Sequence, residues 1–220
     1  MEFDASMMYA PAPLYARNRI VRIKSRWKDK DKERSLEELA GALAFIEWRI
    51  AGAALLNLEN EGFQTDSQSQ RLDVLQEFCA FLVHVADRLV HASMDDEQRQ
   101  RFISALALKM ADTYHGNRVD AEGRGGDYRR PFIDVLNRRM ADYAAFRFED
   151  GEPGYAFKRY LGECVTDSMG PKDSKWISDQ VMEIEIPEML KNLKKGLDGL
   201  FQSATMEKSA EAVNSTQHSG

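Results

Sequence analysis

An all-α, single-domain bundle of five to seven helices is predicted by three observations. Apolar residues recur at three- and four-residue spacings over long stretches without proline. Alternating β-branched runs are nearly absent, so a sheet has no raw material. No repeat of fixed period appears, which removes solenoid architectures. The chain has 220 residues, 43% of them apolar and 30% charged. That is enough length to bury a core without disulfide or metal staples.

Residues 1–16, with Pro11 and Pro13 and no regular period, read as an extended arm. Residues 17–34 carry nine basic and three acidic side chains, a local charge of +6, which leaves −12 for the rest of a chain whose net charge is −6. A helix start is written at Ser35, where Ser35-Leu36-Glu37-Glu38 forms a capping box. The stripe Leu36, Leu39, Leu43, Ile46 and Ile50 carries that helix to about Asn60. A second helix is expected over about Gln68–Ala92, with Leu72, Leu75, Cys79, Leu82, Ala86 and Leu89 as its stripe. Phe78, Phe81, Val83 and Val85 widen the apolar face past half the circumference, so this helix belongs deep between neighbours.

Asp95 with Gln98 caps a third helix, expected to end near His115. Residues 116–127, GNRVDAEGRGGD, read as a mobile loop. Pro131 suits the first turn of a fourth helix running to about Arg147, with Phe132, Leu136, Met140 and Tyr143 inward. GEPG at 151–154 breaks the chain before a fifth helix, about Tyr155–Met169, and Gly170-Pro171 breaks it again. Asp173 or Ser174 caps a sixth, and Pro187 either kinks it or begins another. From Ser203 the tail is small and polar and reads as disordered. The expected organisation is therefore an arm with a basic segment over 1–34, a helical bundle over 35–202 and a tail over 203–220.

The pI near 5.4 argues against a surface built wholly for nucleic acid. Within the basic arm Asp29, Asp31 and Glu33 interleave with Lys28, Lys30 and Lys32, and docking on the acidic body is preferred over a polyanion. Cys79 and Cys164 form no CxxC pair and no disulfide framework, which fits a reducing cytosol. No secretory leader is visible, and no uninterrupted apolar stretch approaches the roughly 18–20 residues of a membrane span.

Three places carry candidate chemistry. His84, Asp87 and His91 have an H-x-x-D-x-x-x-H spacing that offers three metal ligands along two turns. The plain alternative is a solvated face with Asp87 and His91 paired, and the Glu-x-x-His of di-metal bundles is absent from the chain. Arg124, Arg129 and Arg130 flank a glycine-rich loop opening a helix, where free N–H groups can hold an anion. No GxxxxGK[ST] accompanies them, and a flexible connector is favoured. Glu47 lies roughly 40° from Leu43 and 60° from Ile50, inside the apolar stripe, and Arg139 lies about 60° from Leu136. The two are expected to meet as a buried pair between the first and fourth helices, fixing register more than binding a ligand. Nucleophilic catalysis finds no GxSxG elbow, and both cysteines sit on apolar stripes as core residues.

The run Phe81-Leu82-Val83-His84-Val85-Ala86-Asp87-Arg88-Leu89, followed by Arg101-Phe102-Ile103-Ser104-Ala105-Leu106, resembles a phrase found in uncharacterised all-helical bacterial proteins. The resemblance implies a helical fold and a bacterial source and transfers no catalytic residue. The functional expectation is a non-enzymatic cytoplasmic protein acting through a protein partner or as a homo-oligomer, with no cofactor. The alternative is a bundle that binds a metal or a small anion and is enzymatic through it.

Overall fold

The computed structural model describes residues 34–123, 125–171 and 174–217, so the basic arm up to residue 33 and Arg124 lie outside the described residues. The helices are α1 (Leu36–Asn60), α2 (Gln68–Val90), α3 (Asp96–Glu122), α4 (Arg129–Ala144), α5 (Tyr155–Met169), α6 (Ser174–Gln180) and α7 (Ile186–Gln217). Strands β1 (Phe148–Glu149) and β2 (Glu152–Pro153) form one small hairpin. The all-α bundle is what the periodicity predicts.

Local chemistry sets the helix starts. Ser35 Oγ accepts from the Glu38 backbone N–H at 3.2 Å while the Glu38 carboxylate accepts from the Ser35 N–H at 3.1 Å, the reciprocal capping box. Ser67 caps α2 through the Gln70 N–H, and Asp95 caps α3 through the Gln98 N–H at 2.8 Å.

Three elements differ from the sequence reading. Helix α3 runs on past His115 to Glu122, because Gly116 is absorbed within the helix and the stop comes at Gly123, whose φ of +88° a side chain resists. Helix α4 ends at Ala144, short of Arg147, and Pro131 occupies its third position. A hairpin replaces the bare break at 151–154: Asp150 and Gly151 both take positive φ, the requirement of a two-residue turn. Helix α7 continues past residue 202 to Gln217. The segment from Ala204 to Ala212 is rich in Ala, Glu, Lys and Met, good helix formers with no proline or glycine among them.

Between α6 and α7 the chain widens into a π-turn over Val181–Glu185, with the Ile186 N–H donating to the Val181 carbonyl. A regular α-turn would press the Pro187 ring against the Glu183 carbonyl, and the wider turn relieves that clash.

Helix α2 is the axis of the bundle. Every residue from Phe78 to Ala86 is buried, with α1, α3, α4 and α5 packed around it. On α5, Gly162 permits a close crossing with α6, since a Cβ there would stand 2.4 Å from Ser178 Oγ and 3.1 Å from its Cα. Helix α1 lies between α3, α2 and α7 and buries Leu39, Leu43, Glu47, Ile50, Leu55 and Leu58. It is also the one described helix long and apolar enough to cross a membrane by length and composition, although the ionisable residues Glu47 and Arg49 interrupt its apolar run. Its outer side contributes to this composition, since it carries Phe45, 52% exposed, and Leu56, 40% exposed.

Candidate functional site

The densest polar chemistry lies where α2, α4 and α5 meet. Arg139 of α4 forks onto Glu77 of α2, its Nε donating to one carboxylate oxygen at 2.6 Å and its Nη2 to the other at 2.9 Å. Arg139 Nη1 also donates to the Tyr160 hydroxyl at 2.9 Å, and that hydroxyl donates on to Asp142. The Glu77 bonds hold the guanidinium charged far above its ordinary range, against the burial that works the other way.

Burial pushes the Tyr160 phenol up, and its bond to Asp142 adds to the rise. Cys164 stands in the same region, its thiol pushed up to about 12 by burial and by the Glu77 carboxylate. A thiol held there is not a nucleophile at neutral pH. The cation and both carboxylates of this centre already serve one another, so it works as a fastening of three helices.

An aromatic box sits beside that fastening. The rings of Tyr143 and Phe157 lie 4.6 Å apart, with His84 5.5 Å from each and Phe81 closing the other side. Burial, then the neighbouring Arg88 charge, lowers the His84 imidazolium to about 4, so the ring is neutral at pH 7. Arg88 Nε donates to His84 Nε2 at 3.2 Å, which places the imidazole proton on Nδ1. That Nδ1 and the Tyr143 hydroxyl are both buried without a hydrogen-bond partner among the described residues. Arg88 also donates to the Ala144 carbonyl and so caps the end of α4.

The three candidate metal ligands do not converge. His84 is turned into the aromatic box, Asp87 accepts from Arg99 at 3.0 Å, and His91 is exposed at the end of α2. Among the described residues no group of three or more His, Cys, Asp or Glu is placed to hold a metal ion. The solvated strip expected along α2 is also corrected, since Glu77 and His84 are buried because α4 and α5 cover that side.

Glu47 and Arg139 do not meet. Arg139 is taken by Glu77, and Glu47 is completely buried on the inner side of α1 with both carboxylate oxygens unpartnered among the described residues. Desolvation raises its pKa well above the ordinary 4.5. Burial likewise holds the Cys79 thiol up, and a charge on nearby Glu47 would raise it further. The wheel flags both anomalous residues correctly. The partner differs because α4 packs beside α2, where Glu77 receives the Arg139 fork.

Arg129 and Arg130 open α4 and help line a cleft of about 720 Å³ with Glu37, Leu108, Lys109 and Asp112. Arg129 Nε donates to Asp112 at 2.6 Å, and its backbone N–H donates to Asp127 at 3.1 Å. Those acids supply the negative charge that two arginines at a helix N-terminus require.

Arg118 was hidden in the residues read as loop. It is buried on α3, donating to Tyr114 at 2.8 Å and Ser69 at 2.5 Å and pairing with Asp73 and Glu122. The sequence signal is Tyr114, Arg118 and Glu122 at successive four-residue steps. Glu185 is buried in the π-turn, where Asn57 and Gln180 donate to it at 3.4 and 3.2 Å. Burial raises its carboxyl pKa.

No protein-family model, no curated protein and no solved structure matches this chain.

Proposed function

We propose that the chain is a non-enzymatic helical protein of the cytoplasm that works by docking a polypeptide on the outer face of α1. One observation carries the reading. Helix α1 carries large apolar residues on its outer side as well as on its buried one, and exposed apolar residues grouped on one face mark a contact surface. Its outer side presents Phe45 and Leu56 to solvent, with Trp48 half-buried beside them. Glu77 and Arg118 are buried and paired, with Arg139 and with Asp73 and Glu122, which supports a scaffold in place of a catalytic centre there. Both cysteines are buried and free, a state that a reducing compartment preserves.

The test is a photo-crosslinking residue placed at position 45 or 56 of the full chain in cells. Adducts to polypeptide are expected at both positions and not at exposed Glu97 on α3. Absence of adducts at both positions of α1 refutes the docking face.

A second reading rests on the cleft beside α4, where Lys109, Arg129 and Arg130 offer cations to a small anion. Glu37, Asp112 and Asp127 share the same wall and balance them, which ranks this reading second. Titration with inorganic phosphate by calorimetry tests it: saturable heat that disappears in Arg130→Ala supports it, and no heat at millimolar phosphate removes it.

A further inference from the structure

The outer face of α1 has a pattern of its own. Glu38, Ala42, Phe45, Arg49, Gly52 and Leu56 follow one another at alternating spacings of four and three, the heptad seam of a coiled coil. The helix is open along this seam. Phe45, Arg49 and Leu56 are exposed, Ala42 and Gly52 are half-buried, and a Cβ built on Gly52 meets nothing within 4 Å.

The seam is complementary to itself when reversed. Forward from Ala42 it runs small, aromatic, cation, small, and backward from Gly52 it runs small, cation, aromatic, small. Laid antiparallel on a second copy with Ala42 opposite Gly52, it sets Phe45 against Arg49 on both sides of a two-fold axis. The same register brings Leu56 over the stem of Glu38. Arg49 already stands 5.9 Å from the centroid of its own chain's Phe45 ring, so the cation–aromatic affinity of this pair is expressed within one copy. The two small residues let the backbones approach at the ends of the contact. A parallel arrangement in register keeps the small-residue contacts but loses the cation–aromatic pairing, because it stacks Arg49 on Arg49.

Resting on the docking reading above, we infer that the occupant of the α1 face is a second copy of this chain, paired antiparallel through Ala42, Phe45, Arg49, Gly52 and Leu56. Residue i meets j and j meets i, as an isologous two-fold contact requires. One helix face per copy is a small interface, so the dimer is concentration-dependent.

Cysteine cross-linking in the full chain reads the register directly. In Ala42→Cys/Gly52→Cys, each new thiol faces its counterpart in the other copy, within the roughly 4.4–6.8 Å between Cα atoms that a disulfide spans. Within one chain the two positions are about 15 Å apart along the helix and cannot join. The native thiols are buried, so mild oxidation leaves the parent chain unlinked. The expected result is a covalent dimer from the double variant only, with neither single variant linking. Sedimentation should show a monomer–dimer equilibrium that Phe45→Glu shifts to monomer by at least tenfold. Linking of either single variant to itself means parallel pairing and overturns the inference. A monomer whose position-45 adducts are all with other proteins overturns the second copy while leaving the docking face standing. A monomer with no adduct overturns both.

Discussion

Two buried glutamates on adjacent helices have opposite fates. Glu77 on α2 is met by a forked guanidinium from α4 and is part of an ion pair. Glu47 on α1 is buried as deeply, and no described donor reaches either oxygen. The difference shows that burial alone does not decide what a carboxyl contributes. Where a cation is built opposite, the charge survives and ties elements together. Where none is, burial favours the protonated carboxyl and raises its pKa.

The largest effect separating the two should come from Arg139→Met. It leaves Glu77 buried and uncompensated, and urea denaturation should show a loss of about 3–5 kcal/mol. Glu77→Gln/Arg139→Met should lose less than the sum of the single variants, by about 1–3 kcal/mol. Additive losses would mean that the fork contributes nothing specific.

Acid comes next, through His84. Its folded pKa of about 4 lies below its ordinary 6.5, so the unfolded chain binds the extra proton. Stability is therefore lost as pH falls from 6.5 towards 4, by roughly 3 kcal/mol in all. Glu47 works in the other direction. Its folded pKa is raised, so the folded chain binds the extra proton and stability falls as pH rises above 4.5. Between pH 4.5 and 6.5 the two slopes oppose each other in the parent chain. Glu47→Gln removes one of them, and the His84 slope should emerge in urea melts taken across that range.

The same variant yields a third measurement at higher pH. Glu47→Gln should match the parent at pH 4 and then gain on it, by about 1.4 kcal/mol per pH unit, until the folded pKa is passed. A Glu47→Gln that is less stable than the parent at pH 8 would show that Glu47 is charged and paired. The smallest effect is expected from Tyr160→Phe, which deletes the hydroxyl bridging Arg139 to Asp142 while sparing the Glu77 fork. A loss of about 1 kcal/mol in thermal melts is the expected cost of that link.

What was legible in the sequence follows the range of the interactions. Ser35 with Glu38, and Asp95 with Gln98, are three residues apart, so their caps can be read directly. The stripe of α2 reads equally well because all of its residues serve one buried layer. The choice between Glu47 and Glu77 as partner of Arg139 is tertiary, since it depends on which helix α4 packs beside. Gly116 misled because glycine punctuates loops in most settings, and here the neighbouring Tyr114–Arg118–Glu122 ladder carries the helix through.

The outer and inner faces of α1 also have a consequence in time. Its principal neighbour is α3, whose last residue, Glu122, is made long after Asn60. At roughly 5–20 residues per second, α1 waits on the order of 3–12 s on the ribosome before the whole of its covering helix exists. During that interval a helix rich in apolar residues, with a carboxyl at its middle, is open to whatever binds greasy nascent segments. The Glu47 carboxylate is charged at neutral pH in that uncovered state and is expected to neutralise only as α1 is covered. A residue that costs stability in the finished fold thus keeps the unfinished one wet.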